Sequence, residues 1–202
     1  MLVSDLLSYV RRGLGSSASS RWEDADILSA AQVATVRAQG ILQRNNIAFG
    51  RTSVEFDTVA ETSAYDVPGD LAAVYGMWKR TSTPQQLRHV TIDEWESIIT
   101  AREATVFAID GESLKIAGTP QSAFSMVLHY WPIAPTLSPS GSTPWNGRLD
   151  YVIGDYCRAR LYNNDEMEVS QDIQLLQDLE NNIVSQFSEM APKMVTRRGW
   201  LV

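Results

Sequence analysis

Residues 27–59, ILSAAQVATVRAQGILQRNNIAFGRTSVEFDTV, change their apolar period partway along. In the first half Ile27, Ala30, Ala31, Ala34, Ala38 and Ile41 recur at the spacing of one helix face. From Thr52 onward apolar and polar side chains alternate, which is the spacing of a half-buried strand. The switch places a boundary between helical and β structure near residue 50. The alanines on the helical stripe imply close approach by a neighbouring helix.

Toward the N-terminus, Val3, Leu6, Leu7, Val10 and Leu14 predict a first amphipathic helix, with Ser4 able to cap its start and Gly13 or Gly15 its end. GSSASS at 15–20 reads as a small-residue linker. The second helix is predicted over about residues 23–44.

Toward the C-terminus the strand texture persists. SAYDVPGDL carries a Pro68-Gly69 turn, and AAVYGMWKR and QLRHV read as extended. TIDEWESIITAR reads as a short helix opened by a capping box of Thr91 and Glu94. TVFAID and SLKIAG form a hairpin about Asp110-Gly111, and FSMVLHYWP is a strand stopped by Pro132. Helical spacing then resumes with Val152, Ile153, Tyr156, Cys157 and Leu161. After a break at NNDE it continues with Val169, Ile173, Leu176, Ile183, Phe187 and Met190, up to Pro192.

The expected fold class is therefore α+β. A bundle of about four helices, residues 1–50 and 148–191, carries an inserted antiparallel β lobe over 51–132. A loop spans 133–147, and an extended C-terminal arm spans 192–202.

Composition narrows the chemistry. The 202 residues are 44% hydrophobic, ample for a buried core, and carry a formal net charge of −7, which disfavours a nucleic-acid grip. The single cysteine, Cys157, excludes an intramolecular disulfide and a thiolate zinc cage, and reads as an inert core thiol. His89 and His129 have no His or Cys at metal-ligand spacing. The acidic runs Glu23-Asp24 with Asp26, and Asp93-Glu94 with Glu96, read as helix-start charges complementing the dipole. No nucleophile elbow, phosphate loop or zinc-protease motif occurs. The expectation is a protein without catalytic residues, cofactor or metal. The N-terminal stretch does not read as a secretory leader, and no apolar run approaches the length of a membrane span.

Six tryptophans remain to be placed. Trp78, Trp95 and Trp131 fall among strands, where core packing is the default. Trp145 lies in a loop with Pro139, Gly141 and Pro144, and Trp200 lies in the arm; both are candidate anchors for a partner's pocket. The arm adds Lys193, Arg197 and Arg198 with apolar Leu201 and Val202, a set suited to an acidic-rimmed, apolar dock. The alternatives are that either segment folds back on its own subunit.

The order of these segments resembles the adaptor (head-completion) proteins of tailed bacteriophages. The resemblance is carried by ILSAAQVATVRAQGIL, SAYDVPGDLAAVYGM, LRHVTIDEWES, VFAIDGESLKIAGTP, FSMVLHYWPIAPTLS and LDYVIGDYCRARLYNND, and spans roughly residues 24–190. It implies a helical bundle with a β insertion and about twelve copies in a ring between the portal and the tail. It implies a structural protein of the virion that binds the portal protein, a tail tube, nozzle or tail-completion protein, and other copies of itself. Double-stranded DNA would pass without specific binding, and no membrane is involved. The alternatives are another neck or tail-completion protein, and a small hydrolase with no recognisable motif.

Overall fold

The computed structural model describes residues 1–19, 21–98, 105–117, 123–162 and 169–188. They divide into two compact units. One comprises Met1–Phe49 with Ala134–Val202, and the other is Gly50–Ile133.

The first unit is helical. It contains α1 (Val3–Ser19), α2 (Asp24–Arg44), α4 (Asp150–Tyr162) and α5 (Val169–Ser188), with a short 3-10 turn at Pro144–Gly147. The start of α2 is fixed by a capping box in which the Asp26 carboxylate accepts the Glu23 backbone N–H at 2.9 Å. Its alanine stripe is buried, and so are Val3, Leu6, Leu7, Val10 and Leu14 of α1. Ile153, Tyr156, Cys157 and Leu161 of α4 and Leu179, Ile183 and Phe187 of α5 complete the core. α1 does not stop at its glycines. It continues to Ser19 beyond Gly15, whose φ of 77° and ψ of 167° interrupt the helical path.

A glycine sets how closely two elements approach within this unit. A Cβ on Gly154 would stand 2.6 Å from Tyr9 Cδ1, so α4 is bare where the ring of Tyr9 crosses it. The Tyr9 hydroxyl donates to Asp155 Oδ1 at 2.8 Å, and the Arg158 guanidinium lies 4.7 Å from the Tyr9 ring centre. Hydrogen bonding to Asp155 and burial push the Tyr9 phenol above its ordinary range.

The second unit is a seven-stranded sheet. Its strands are β1 (Thr52–Asp57), β2 (Ala64–Asp66), β3 (Leu71–Lys79), β4 (Gln85–His89), β5 (Val106–Asp110), β6 (Ser113–Ala117) and β7 (Ser125–Pro132). They lie in the order β1-β7-β3-β4-β5-β6-β2. The helix α3 (Ile92–Ile98) connects β4 to β5. Met77, Leu87, Phe107, Leu114, Ile116, Met126, Leu128 and Tyr130 form one core. Trp95 of α3 packs with Val90, Val106, Ala108 and Ala117 in a second. β5 is thus covered on both faces, which is why Val106, Phe107 and Ala108 are buried in succession. The first and last strands pair directly, Thr52 opposite Tyr130.

This architecture corrects the expected fold class. The described residues hold five helices and a seven-stranded sheet with cores of its own, not a four-helix bundle with a small antiparallel lobe. The sheet is mixed, because β4 and β5 run parallel, with Arg88 opposite Val106 and His89 opposite Phe107. A parallel pair needs a crossover between its strands, and α3 supplies it. The capping-box segment at 91–98 is therefore part of the sheet's topology.

Candidate functional site

The loop that carries Trp145 is held down at several points. The Val3 N–H donates to Gly141 O at 2.9 Å, and the Thr143 N–H donates to Met1 O at 2.9 Å. The Thr143 hydroxyl donates to Asp150 Oδ2 at 2.9 Å, and the Met1 amine stands 3.6 Å from the same oxygen. Asp150 is buried, and its Oδ1 has no partner among the described residues. Burial pushes its carboxyl above the ordinary range, opposed by the Thr143 hydrogen bond and the Met1 amine. Trp145 and Asn146 both take left-handed backbone, at φ 56° and 54°. Trp145 is half-buried and packs against the helical core, while Ser138, Pro139, Ser140, Ser142, Asn146 and Arg148 are exposed. The structure thus gives Trp145 contacts within its own unit and leaves the rim of its loop open to a partner.

Lys193, Arg197, Arg198, Trp200, Leu201 and Val202, the arm residues singled out in the sequence, lie outside the described residues.

Two other surfaces emerge from packing. Between α4 and α5 runs a groove lined by Val152, Tyr156, Ala159, Leu175 and Leu179, with Asp155, Asp178 and Asn182 among its walls, enclosing about 180 Å3. A neighbouring hollow along α5 shares Leu175 and Asp178 with it. Ile173, in the predicted apolar stripe of α5, is 50% exposed, so that stripe is not all core.

On the sheet unit, Tyr75, Trp78, His129 and Trp131 meet on one face. Tyr75 stacks on Trp78 with ring centres 5.6 Å apart, and Trp78 meets His129 edge-on at 5.0 Å. The Arg51 guanidinium lies 3.8 Å from the Tyr75 ring centre and 5.6 Å from that of Trp131. A register shift between Val74 and Gly76 sets Tyr75 opposite no residue of β7, and this bulge aims its ring along the face. Trp131 is buried, as the sequence suggested, but Trp78 is only half-buried and 40% of Tyr75 is exposed. Burial, followed by the charges of Arg51 and Arg80, holds His129 below the ordinary imidazole range. Neither Arg51 nor Tyr75 stood out in the sequence, since a bulge leaves no trace in apolar alternation.

Chemistry-bearing groups do not converge. His89 stacks on Phe107 at 4.8 Å, within the sheet unit like His129 but with different ring neighbours. Cys157 is buried, and burial pushes its thiol up to about 12. Among the described residues no three His, Cys, Asp or Glu side chains are placed to hold a metal ion, and no helix is long and apolar enough to cross a membrane. The geometry presents a pinned loop, a groove between α4 and α5 and a cation-aromatic sheet face.

Comparison with protein families gives a match over nearly the whole chain. The model described as SU10 adaptor protein covers residues 1–198, in agreement with the resemblance read from the sequence and extending it to the N-terminal helix. No curated protein matches the chain.

Proposed function

Because the chain belongs to the SU10 adaptor protein family, and is thus a structural adaptor of a bacteriophage, we propose that its copies form a closed ring between the portal and the tail. The ring completes the head, continues the DNA channel and performs no catalysis. The observation that carries this reading is the family match over residues 1–198, both units included. A formal charge of −7 suits a channel wall past which DNA slides without adhering. A ring requires two different patches on each subunit meeting head to tail, and the pinned loop and the sheet face are two such patches.

In this arrangement the partners are the portal protein, a tail tube, nozzle or tail-completion protein, and neighbouring copies, about twelve in all. Lys193, Arg197, Arg198, Trp200, Leu201 and Val202 form the arm that docks on the portal, and the loop of Trp145 contacts a neighbouring subunit or a tail protein. Electron microscopy of the chain mixed with the portal of its virion tests the reading. A closed ring seated on the portal is the expected result. Particles that stay dispersed, or that bind a tail protein while ignoring the portal, overturn it.

A further inference from the structure

Helix α5 is docked along only one half of its length. Leu179, Ile183 and Phe187 are buried in the helical core, whereas none of the side chains from 171 to 178 is buried. We propose that residues 169–178 form a flap that unwinds from α2 and α4 while residues 179–188 stay seated, and that the Asp172 carboxylate is its latch.

The two halves differ in what holds them. In the second half the Phe187 ring stacks on Phe49 with ring centres 4.5 Å apart. Glu180 accepts from Arg44 at 2.7 Å and from Asn45 at 2.8 Å, and the Gln186 amide donates to Arg148 O at 2.9 Å. In the first half Leu175 and Leu176 are only half-buried against the core, and Ile173 is exposed. Leu175 and Asp178 line one side of the α4–α5 groove, and Val152, Tyr156 and Ala159 line the other. Close packing between α4 and this half of α5 is therefore incomplete, and the dispersion contacts it would bring are forfeited.

Among the described residues, the hydrogen bonds and ion pairs that join 171–178 to other elements all belong to Asp172. Arg37 of α2 donates to its two carboxylate oxygens at 3.3 and 3.5 Å, and Arg160 of α4 stands 3.8 Å from Oδ1. Both arginines also donate to the Tyr156 hydroxyl. One carboxylate thus ties three helices together. Its contacts are longer than the roughly 2.7–2.9 Å of a well-made charge-assisted bond. All three side chains are only half-buried, so water and salt weaken the attraction. Opening the flap therefore takes less free energy than releasing the whole helix. The open form bares Leu175 and Leu176 of α5 with Val152 and Ala159 of α4, all half-buried in the closed subunit. The latch thereby gates apolar surface that the closed subunit withholds.

Hydrogen–deuterium exchange of the full-length chain, read by peptide mass spectrometry, tests this. Relative to their unstructured rates, amides 173–178 are expected to exchange several-fold faster than amides 180–187. Asp172→Asn should speed the first group several-fold further and leave the second unchanged. Loss of a carboxylate near the start of α5 also weakens that helix through its dipole. Arg37→Gln, on a different helix, separates the two causes: it should reproduce the effect of Asp172→Asn, and the double variant should exceed neither single one. The proposal is overturned if the two halves exchange together, in the natural chain or in either variant. Exchange at 173–178 that is indifferent to Arg37→Gln, or effects of the two changes that add, overturn it equally.

Discussion

The indole of Trp78 occupies the space where a side chain on Gly76 would begin. A Cβ on Gly76 would stand 2.8 Å from Trp78 Cη2, 3.0 Å from Cζ3 and 3.1 Å from the Gln86 amide nitrogen. The bare glycine after the bulge lets the ring lie flat along β3, where it stacks on Tyr75 and meets His129. Gly76→Ala is expected to displace the indole and cost about 1–3 kcal/mol. Trp78→Ala in the same background should recover part of that loss, because it removes the clashing ring. Chemical denaturation of the two single variants and the double variant checks the non-additivity.

The helix glycines should respond in opposite directions. Gly154→Ala pushes a Cβ to 2.6 Å from the Tyr9 ring, and crowding of about 1–3 kcal/mol should outweigh alanine's better helix propensity. Gly40 in α2 is exposed and has nothing within 4 Å of its Cβ position, so Gly40→Ala should stabilise by about 1 kcal/mol. Thermal unfolding should show Tm moving down for the first and up by roughly 2–4 °C for the second.

Asp150 predicts a pH dependence of definite sign. Its carboxyl is raised in the folded chain by burial, so the folded state binds this proton more tightly than the unfolded state. Its contribution is therefore greatest below the ordinary carboxylate value and is lost as pH rises toward the raised one. Asp150→Asn removes the proton. Plotted against pH, the Tm of the variant relative to the natural chain should climb through that window and level off above it. A difference that stays constant with pH contradicts the linkage.

Trp145 bears on assembly. Trp145→Ala should leave the far-ultraviolet circular dichroism of the helical unit intact, because the residue is half-buried at the edge of the core and outside the long helices. Ring formation on the portal should weaken, since the loop rim above it loses its prop. Assembly at the natural level removes the loop from the list of contacts.

Much of the local structure was legible in the sequence, and the reason differs by element. The stripes of α1 and α2 declared themselves because each helix buries one face and every stripe residue falls on it. The strands were legible from alternation, but their order was not, since pairing depends on how connections cross. The parallel β4–β5 pair follows from α3 as a crossover, a relation that no periodicity records. Trp95 and Trp131 are buried as their place in the β lobe suggested, whereas Trp78 is held half-exposed by a bulge and a glycine. The α4–α5 groove escaped notice because Val152 reads as one more residue of the α4 stripe, and periodicity does not say which neighbour each stripe residue meets.

The pairing of β1 with β7 bears on how the chain finds its fold. The helical core joins residues before position 50 to residues after 133, a closure that an unstructured intervening chain would make costly in entropy. Once Thr52 sits opposite Tyr130, the two ends of the sheet unit are neighbours, and the helices meet across what behaves as a short connection. Each halving of effective loop length saves about 0.6 kcal/mol, so the pinned insert lowers the closure cost by roughly 2–3 kcal/mol. A mutation that unzips β1 from β7 should therefore slow helical assembly without touching a single helix.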